Sequence, residues 1–302
     1  MRSILAIACL SFFILTGCSE PKVPPKARPA ESKPLVIGLI PEHNIFRQMD
    51  RYEPLAGYVS KKIGVKIKLK VLSRYGNIVD NFVSEGMDGA FFGSFTYVLA
   101  HAKMGVEVLA RPENNEGISV YHGLLLVRKD SLIRTAEDMK GKRFAFVEKA
   151  TTAGYLFPLA YFKEHGIRDY RAYFKEVYYA GTHENVIDDV LNKKTDIGAA
   201  KNTVFDRLIE EDRRIKNELL VLDQSPDVPE NGLAVRKDLD GSLKKKLKEA
   251  LLDMHNDPEG KKVLSRFGAR RFIATTDGDY APVLTYAKEI GLNLATYDYM
   301  NQ

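Results

Sequence analysis

The chain runs to 302 residues, enough for one large domain or two of ordinary size. Hydrophobic residues at 45% and charged residues at 28% allow a buried core, which excludes a disordered, collagen-like or many-span membrane protein. Lys and Arg number 45 against 40 Asp and Glu, a net charge of +5. No basic cluster goes beyond Lys244, Lys245 and Lys246, so the composition argues for no nucleic-acid partner.

At the start of the chain, Arg2 precedes an apolar run from Ile4 to Leu15 that is too short to remain as a bilayer-spanning helix. A basic start, a short apolar stretch and small residues at its end describe an export signal. The stretch closes on Leu15-Thr16-Gly17-Cys18, which resembles a bacterial lipobox. That resemblance implies a signal peptide over residues 1–17, cleavage before Cys18 and acylation of its thiol. Cys9 would leave with the signal, so the mature body would have no thiol for a disulfide, a metal or nucleophilic catalysis. Residues 18–33 carry Pro21, Pro24, Pro25 and Pro29 among few apolar side chains, the composition of a stiff tether. The layout is that of a membrane-anchored lipoprotein facing the periplasm or the extracellular side.

From Leu35 onward, strand and helix signals alternate. The run 35–40 suits a buried strand, and Tyr52, Leu55, Ala56, Val59 and Ile63 recur at helical spacing until Gly64. Val65, Ile67, Leu69 and Val71 alternate with lysines as a half-exposed strand. Ile78, Val79, Phe82 and Val83 mark a helix before a strand over 89–92. A helix over 94–104 leads into a strand over 106–110, and 121–127 reads as one strong strand. A second set begins with a strand over 143–147, followed by a helix that Pro158 is expected to weaken or kink. After a strand over 232–235 the chain reads as helical over 243–255, 260–267 and 280–290. This rhythm predicts an α/β fold with mostly parallel sheets.

Ligands of open α/β sheets collect beyond the carboxyl ends of the strands, where helix N-termini point outward. One junction, Val147-Glu148-Lys149-Ala150-Thr151-Thr152-Ala153-Gly154, places two hydroxyls at a helix start whose first amides have no intrahelical partner. Such a junction suits an oxyanion, although a plain capping threonine fits the same residues. Another, Ala180-Gly181-Thr182-His183-Glu184, puts His183 in a first helical turn, either near an anion or as an exposed capping-turn residue. The other histidines show no metal-ligand spacing, and there is no nucleophile elbow, Walker loop or dinucleotide fingerprint, so no metal or cofactor is expected.

From about Pro34 to Ala287 the chain resembles the phosphate, phosphite and phosphonate-binding proteins of ABC importers. The matching pieces include Arg74-Tyr75-Gly76-Asn77-Ile78, Asp88-Gly89-Ala90-Phe91-Phe92-Gly93-Ser94 and Ala150-Thr151-Thr152-Ala153-Gly154-Tyr155-Leu156-Phe157-Pro158. Ala180-Gly181-Thr182-His183-Glu184 and Ser225-Pro226-Asp227-Val228-Pro229-Glu230-Asn231-Gly232 complete the pattern. The resemblance implies a type II periplasmic binding protein: two α/β lobes joined by two crossover segments, binding rather than catalysing. It implies lobe one from 34–128 plus 231–302, lobe two from 129–230, and a monomer working with an ABC permease and ATPase.

Carried over residue by residue, the oxyanion pocket would be Tyr75, Tyr121, Thr151, Thr152 and His183, each a hydrogen-bond donor. Family members that select an aminoalkyl phosphonate oppose its ammonium with carboxylates. An ungapped alignment puts Thr203 (Asn202 if it slips by one) and Asn231 at those places, all uncharged. A buried ammonium without a carboxylate is heavily penalised. The ligand implied is therefore phosphate, phosphite or a small neutral phosphonate, not 2-aminoethylphosphonate. A tethered anion sensor for a signalling partner, or a binder of another oxyanion or a carboxylate, is the alternative.

Overall fold

The computed structural model describes residues 33–42 and 44–301. The signal peptide, Cys18 and the tether through Ser32 lie outside these residues.

The first lobe begins β1 (Leu35–Leu39), α1 (Ile45–Ile63), β2 (Ile67–Val71), α2 (Asn77–Ser84), β3 (Gly89–Phe92), α3 (Ser94–Met104) and β4 (Glu107–Glu113). The chain crosses through β5 (Val120–Tyr121) into β6 (Gly123–Arg128) and β7 (Arg143–Phe146). A π-helical turn, Thr152–Leu156, then opens α4 (Phe157–Glu164), followed by α5 (Tyr170–Tyr173), β8 (Glu176–Tyr179), α6 (His183–Leu191) and β9 (Ile197–Lys201). After α7 (Asn202–Glu211), α8 (Arg213–Glu218) and β10 (Leu219–Gln224), it returns through β11 (Val228–Pro229). The remainder is β12 (Gly232–Val235), α9 (Gly241–Leu252), α10 (Pro258–Phe267), β13 (Arg271–Ala274) and α11 (Ala281–Glu289).

Among the described residues these strands form a six-stranded sheet, ordered β13-β4-β12-β3-β1-β2, and a five-stranded sheet, ordered β10-β6-β9-β7-β8. The two crossovers pair with each other, Val228 opposite Tyr121 and Pro229 opposite Val120, as a short antiparallel ribbon. The sheets are mixed rather than mostly parallel. Helix-connected neighbours such as β1 with β2, or β7 with β8, run parallel. By contrast, β12 runs against β3 and β6 runs against β9, because each follows a crossover and enters its sheet from the opposite end.

Two sequence expectations need correction here. The single strand over 121–127 is two: β5 belongs to the ribbon and β6 to the five-stranded sheet, with His122 between them. Sheet membership therefore changes near residues 121–123, not at Arg128. The join is held by Asn202, whose Oδ1 accepts from His122 N at 3.0 Å while its own amide donates to His122 O at 3.0 Å. Pro158 kinks nothing, because it stands in the first turn of α4, where its missing N–H has no intrahelical role. Gly154 O, which a regular helix would offer to residue 158, accepts from Val147 N at 3.2 Å instead.

Candidate functional site

The crossovers reach both sheets at the carboxyl ends of the parallel strands. Gly123, which opens β6, opposes Lys201 at the end of β9, and Gly232, which opens β12, opposes Phe92 at the end of β3. Helix starts face the same gap. Here Tyr75, Tyr121, Thr151, Thr152, His183 and Asn231 line one small space of about 10 Å³, together with Ser94 and Phe95 from the first turn of α3. Each of the six is 5% exposed or less.

The two threonines are engaged differently. Thr151 donates its hydroxyl to Glu148 O at 2.6 Å. Thr152 Oγ1 accepts the amide of Phe95 at 3.1 Å, joining the π turn of one lobe to the start of α3 in the other. The turn seats this closely because residue 154 is glycine: a Cβ there would stand 2.4 and 2.5 Å from Val147 side-chain atoms. His183 opens α6 behind Thr182, whose side chain caps the helix by accepting from Asn185 N at 3.0 Å. Its Nδ1 accepts from Lys201 N at 3.1 Å, so the proton of the neutral ring sits on Nε2.

From the first lobe, Tyr75 packs edge-on against the His183 ring at 5.9 Å. Burial, then the nearby Glu42 and Glu148, push its hydroxyl well above the ordinary tyrosine range, so it is a proton donor. Burial likewise raises Tyr121, whose hydroxyl has the Ser94 and Thr152 hydroxyls as hydrogen-bond neighbours. Two buried polar atoms here have no partner in the protein, Tyr75 Oη and Asn231 Nδ2. Unsatisfied buried donors are costly, and two on residues that line one space mark a place for an acceptor. Glu148 accepts from Tyr75 N at 3.1 Å across the lobes. Burial pushes its carboxyl up to about 7, against the pull of Arg74 and of the Tyr75 and Gly76 amides.

Asn202 and Thr203 do not join this set. They line an adjoining cavity of about 500 Å³, which shares Glu42, Lys201 and Asn231 with the first space. The residue at the end of β9 that reaches the small space is Lys201, which sequence reading passed over. Its ammonium bonds Glu42 Oε1 at 3.0 Å, Glu230 Oε1 and Asn231 Oδ1 at 3.3 Å. Burial disfavours that charge, but Glu230 and Glu42 outweigh it and hold the lysine charged above its ordinary range. Carboxylates are thus present beside Asn231, at positions other than the aligned ones, and an internal cation bonds them. The available signal was a lone lysine closing the otherwise apolar strand Ile197-Gly198-Ala199-Ala200-Lys201.

Residues 37–280 match the family model described as ABC transporter, phosphonate, periplasmic substrate-binding protein. The chain belongs to this family. It is 28% identical over 282 residues to the phosphonates-binding periplasmic protein of Escherichia coli K12, covering 92% of this chain and 82% of that one. It is 30% identical to the phosphate-import protein PhnD of Mycolicibacterium smegmatis over 67% of this chain and 65% of that protein. Among solved structures, a binding-protein component of a Pseudomonas aeruginosa ABC phosphonate transporter aligns with a TM-score of 0.78 and 26% identity, over 84% of this chain and 86% of that one. PhnD1 of Prochlorococcus marinus, solved with methylphosphonate, shares the fold at a TM-score of 0.76 and 21% identity, over 85% and 97%. The protein is therefore a substrate-binding component of an ABC transporter and not an enzyme, with the type II fold of periplasmic binding proteins.

Proposed function

We propose that this protein captures phosphate, phosphite or a small neutral phosphonate between its lobes and presents the closed form to an ABC permease. The observation that carries this reading is the pair of buried, unpartnered donors. Tyr75 and Asn231, whose Oη and Nδ2 have no partner in the protein, line the same small space as Thr152 and His183. A tetrahedral oxyanion supplies acceptors on all sides, and neutral donors hold it without a full counter-cation. Relatives named for phosphate, phosphite and phosphonate bracket the same ligand chemistry.

In this reading Tyr75 and Asn231 come from the first lobe and its crossover, whereas Thr151, Thr152 and His183 come from the second. The paired crossovers β5 and β11 serve as the hinge. Thr151 supports Glu148 O, and Thr152 meets the anion. Residues 1–17 are the signal, and Cys18 carries lipid at the head of the tether over residues 18–33; Cys18→Ala would then move the protein out of the membrane fraction. Titration calorimetry with phosphate, phosphite and methylphosphonate tests the ligand class. Saturable one-site binding of at least one of them, tighter than sulfate, is the expected result. No heat from any of the three overturns the reading.

A further inference from the structure

Lys201 is buried to 3% exposure beside the oxyanion donors, and its charge is engaged within the protein. Its surroundings are those of an ammonium site. Glu42 Oε1, Glu230 Oε1 and Asn231 Oδ1 accept its three hydrogens, and the Tyr121 ring lies 4.3 Å away beneath the cation. Three acceptors and an aromatic face match the three donors and compact charge of a primary ammonium. Glu42 follows β1 in one lobe, Lys201 ends β9 in the other, and Glu230 with Asn231 lies on the returning crossover.

This ammonium site and the oxyanion site share a wall. Lys201, Glu42 and Asn231 border the small space that Tyr75, Thr152 and His183 line. Asn231 bridges the two, with Oδ1 toward the lysine and Nδ2 without a protein partner. A cation box beside an oxyanion cradle is complementary to a zwitterion, an amine joined by a short arm to a tetrahedral anion. Half of that complement is already filled by the chain itself. Without Lys201, buried Glu42 and half-buried Glu230 would lose a directly bonded cation, which an ammonium on the ligand would restore.

We propose that Lys201 is a built-in replacement for a ligand amine: it fills the ammonium site of the cleft and restricts the ligand to oxyanions that carry no amine. The inference rests on the oxyanion reading above. Truncating the side chain leaves Glu42, Glu230 and Asn231 ready to accept an amine that enters from the oxyanion side.

Calorimetry on wild type and Lys201→Ala with methylphosphonate and 2-aminoethylphosphonate tests this. Wild type should bind methylphosphonate at least tenfold tighter than the amine. Lys201→Ala should shift the ratio toward 2-aminoethylphosphonate by at least tenfold, whereas Lys201→Met, which fills the space with an uncharged chain, should not. Should Lys201→Ala fail to fold, the Lys201→Ala/Glu42→Gln pair keeps the charge of the site at −1 and carries the same expectation. A folded variant that loses methylphosphonate and gains nothing for the amine overturns the proposal, because Lys201 would then serve the anion directly. Wild type preferring 2-aminoethylphosphonate also overturns it. Wild type that binds neither of these, nor inorganic phosphate or phosphite, refutes the oxyanion reading, and this one with it.

Discussion

Single side chains decide what the cleft can hold. Thr152 receives the Phe95 amide and lines the small space, so Thr152→Val both orphans that amide and removes a donor. Losing one buried hydrogen-bonding group costs about 1–3 kcal/mol, and calorimetry should show methylphosphonate binding weakened by that amount. Unchanged affinity would remove Thr152 from the site. Glu148 makes a pH-dependent contribution. Its carboxyl rises from 4.5 to about 7 in the folded protein, chiefly through burial. Between those values the folded chain holds a proton that the unfolded chain releases. The stabilisation is therefore complete below pH 4.5 and is lost as pH rises through 7. Thermal melts should show Glu148→Gln flattening that decline, with a difference of at most about 3 kcal/mol between the ends of the window. Tyr75, Thr152 and His183 were named through the family resemblance, because at the junctions alone a capping threonine or a capping-turn histidine fits the same residues. Lys201 was not, because its role depends on Glu42, 159 residues away, and Glu230, 29 away.

At the scale of elements, some bounds were legible in the sequence, as where Gly105 ends an apolar run with a left-handed cap. The helix expected over 94–104 is α3, Ser94–Met104. Periodicity failed where two elements abut without a break in hydrophobicity. The apolar run 121–127 gives no sign that Tyr121 pairs with Val228 while Leu124 onward pairs with β9 and β10. Strand direction was hidden as well, because whether β12 and β6 run against their neighbours depends on where the crossovers enter each sheet. The π turn carries Thr152, to which the proposed function assigns the anion. A methyl group at residue 154 would collide with Val147, so Gly154→Ala should push the turn off β7. Urea melts should register a loss of about 1–3 kcal/mol, the usual cost of overpacking, and Thr152 should leave its place beside Phe95. A variant as stable as wild type, with unaltered anion affinity, would show that the turn does not set the threonines.

For the whole molecule, closure is written into contacts that cross the cleft. Phe95 N meets Thr152, Tyr75 N meets Glu148, and Lys201 meets Glu42. Along one side, the C-terminal segment adds Tyr297 Oη on Lys149 O at 2.9 Å and Tyr299 on Asp80, touching both lobes. An anion that contacts donors from both lobes favours the closed form by its difference in contacts between open and closed states. A crystal structure of the protein grown with methylphosphonate tests this most directly. The account predicts one phosphonate between the lobes, with its oxygens on Tyr75 Oη, Thr152 Oγ1 and His183 Nε2. A phosphonate bound elsewhere, or touching only one lobe, would contradict it.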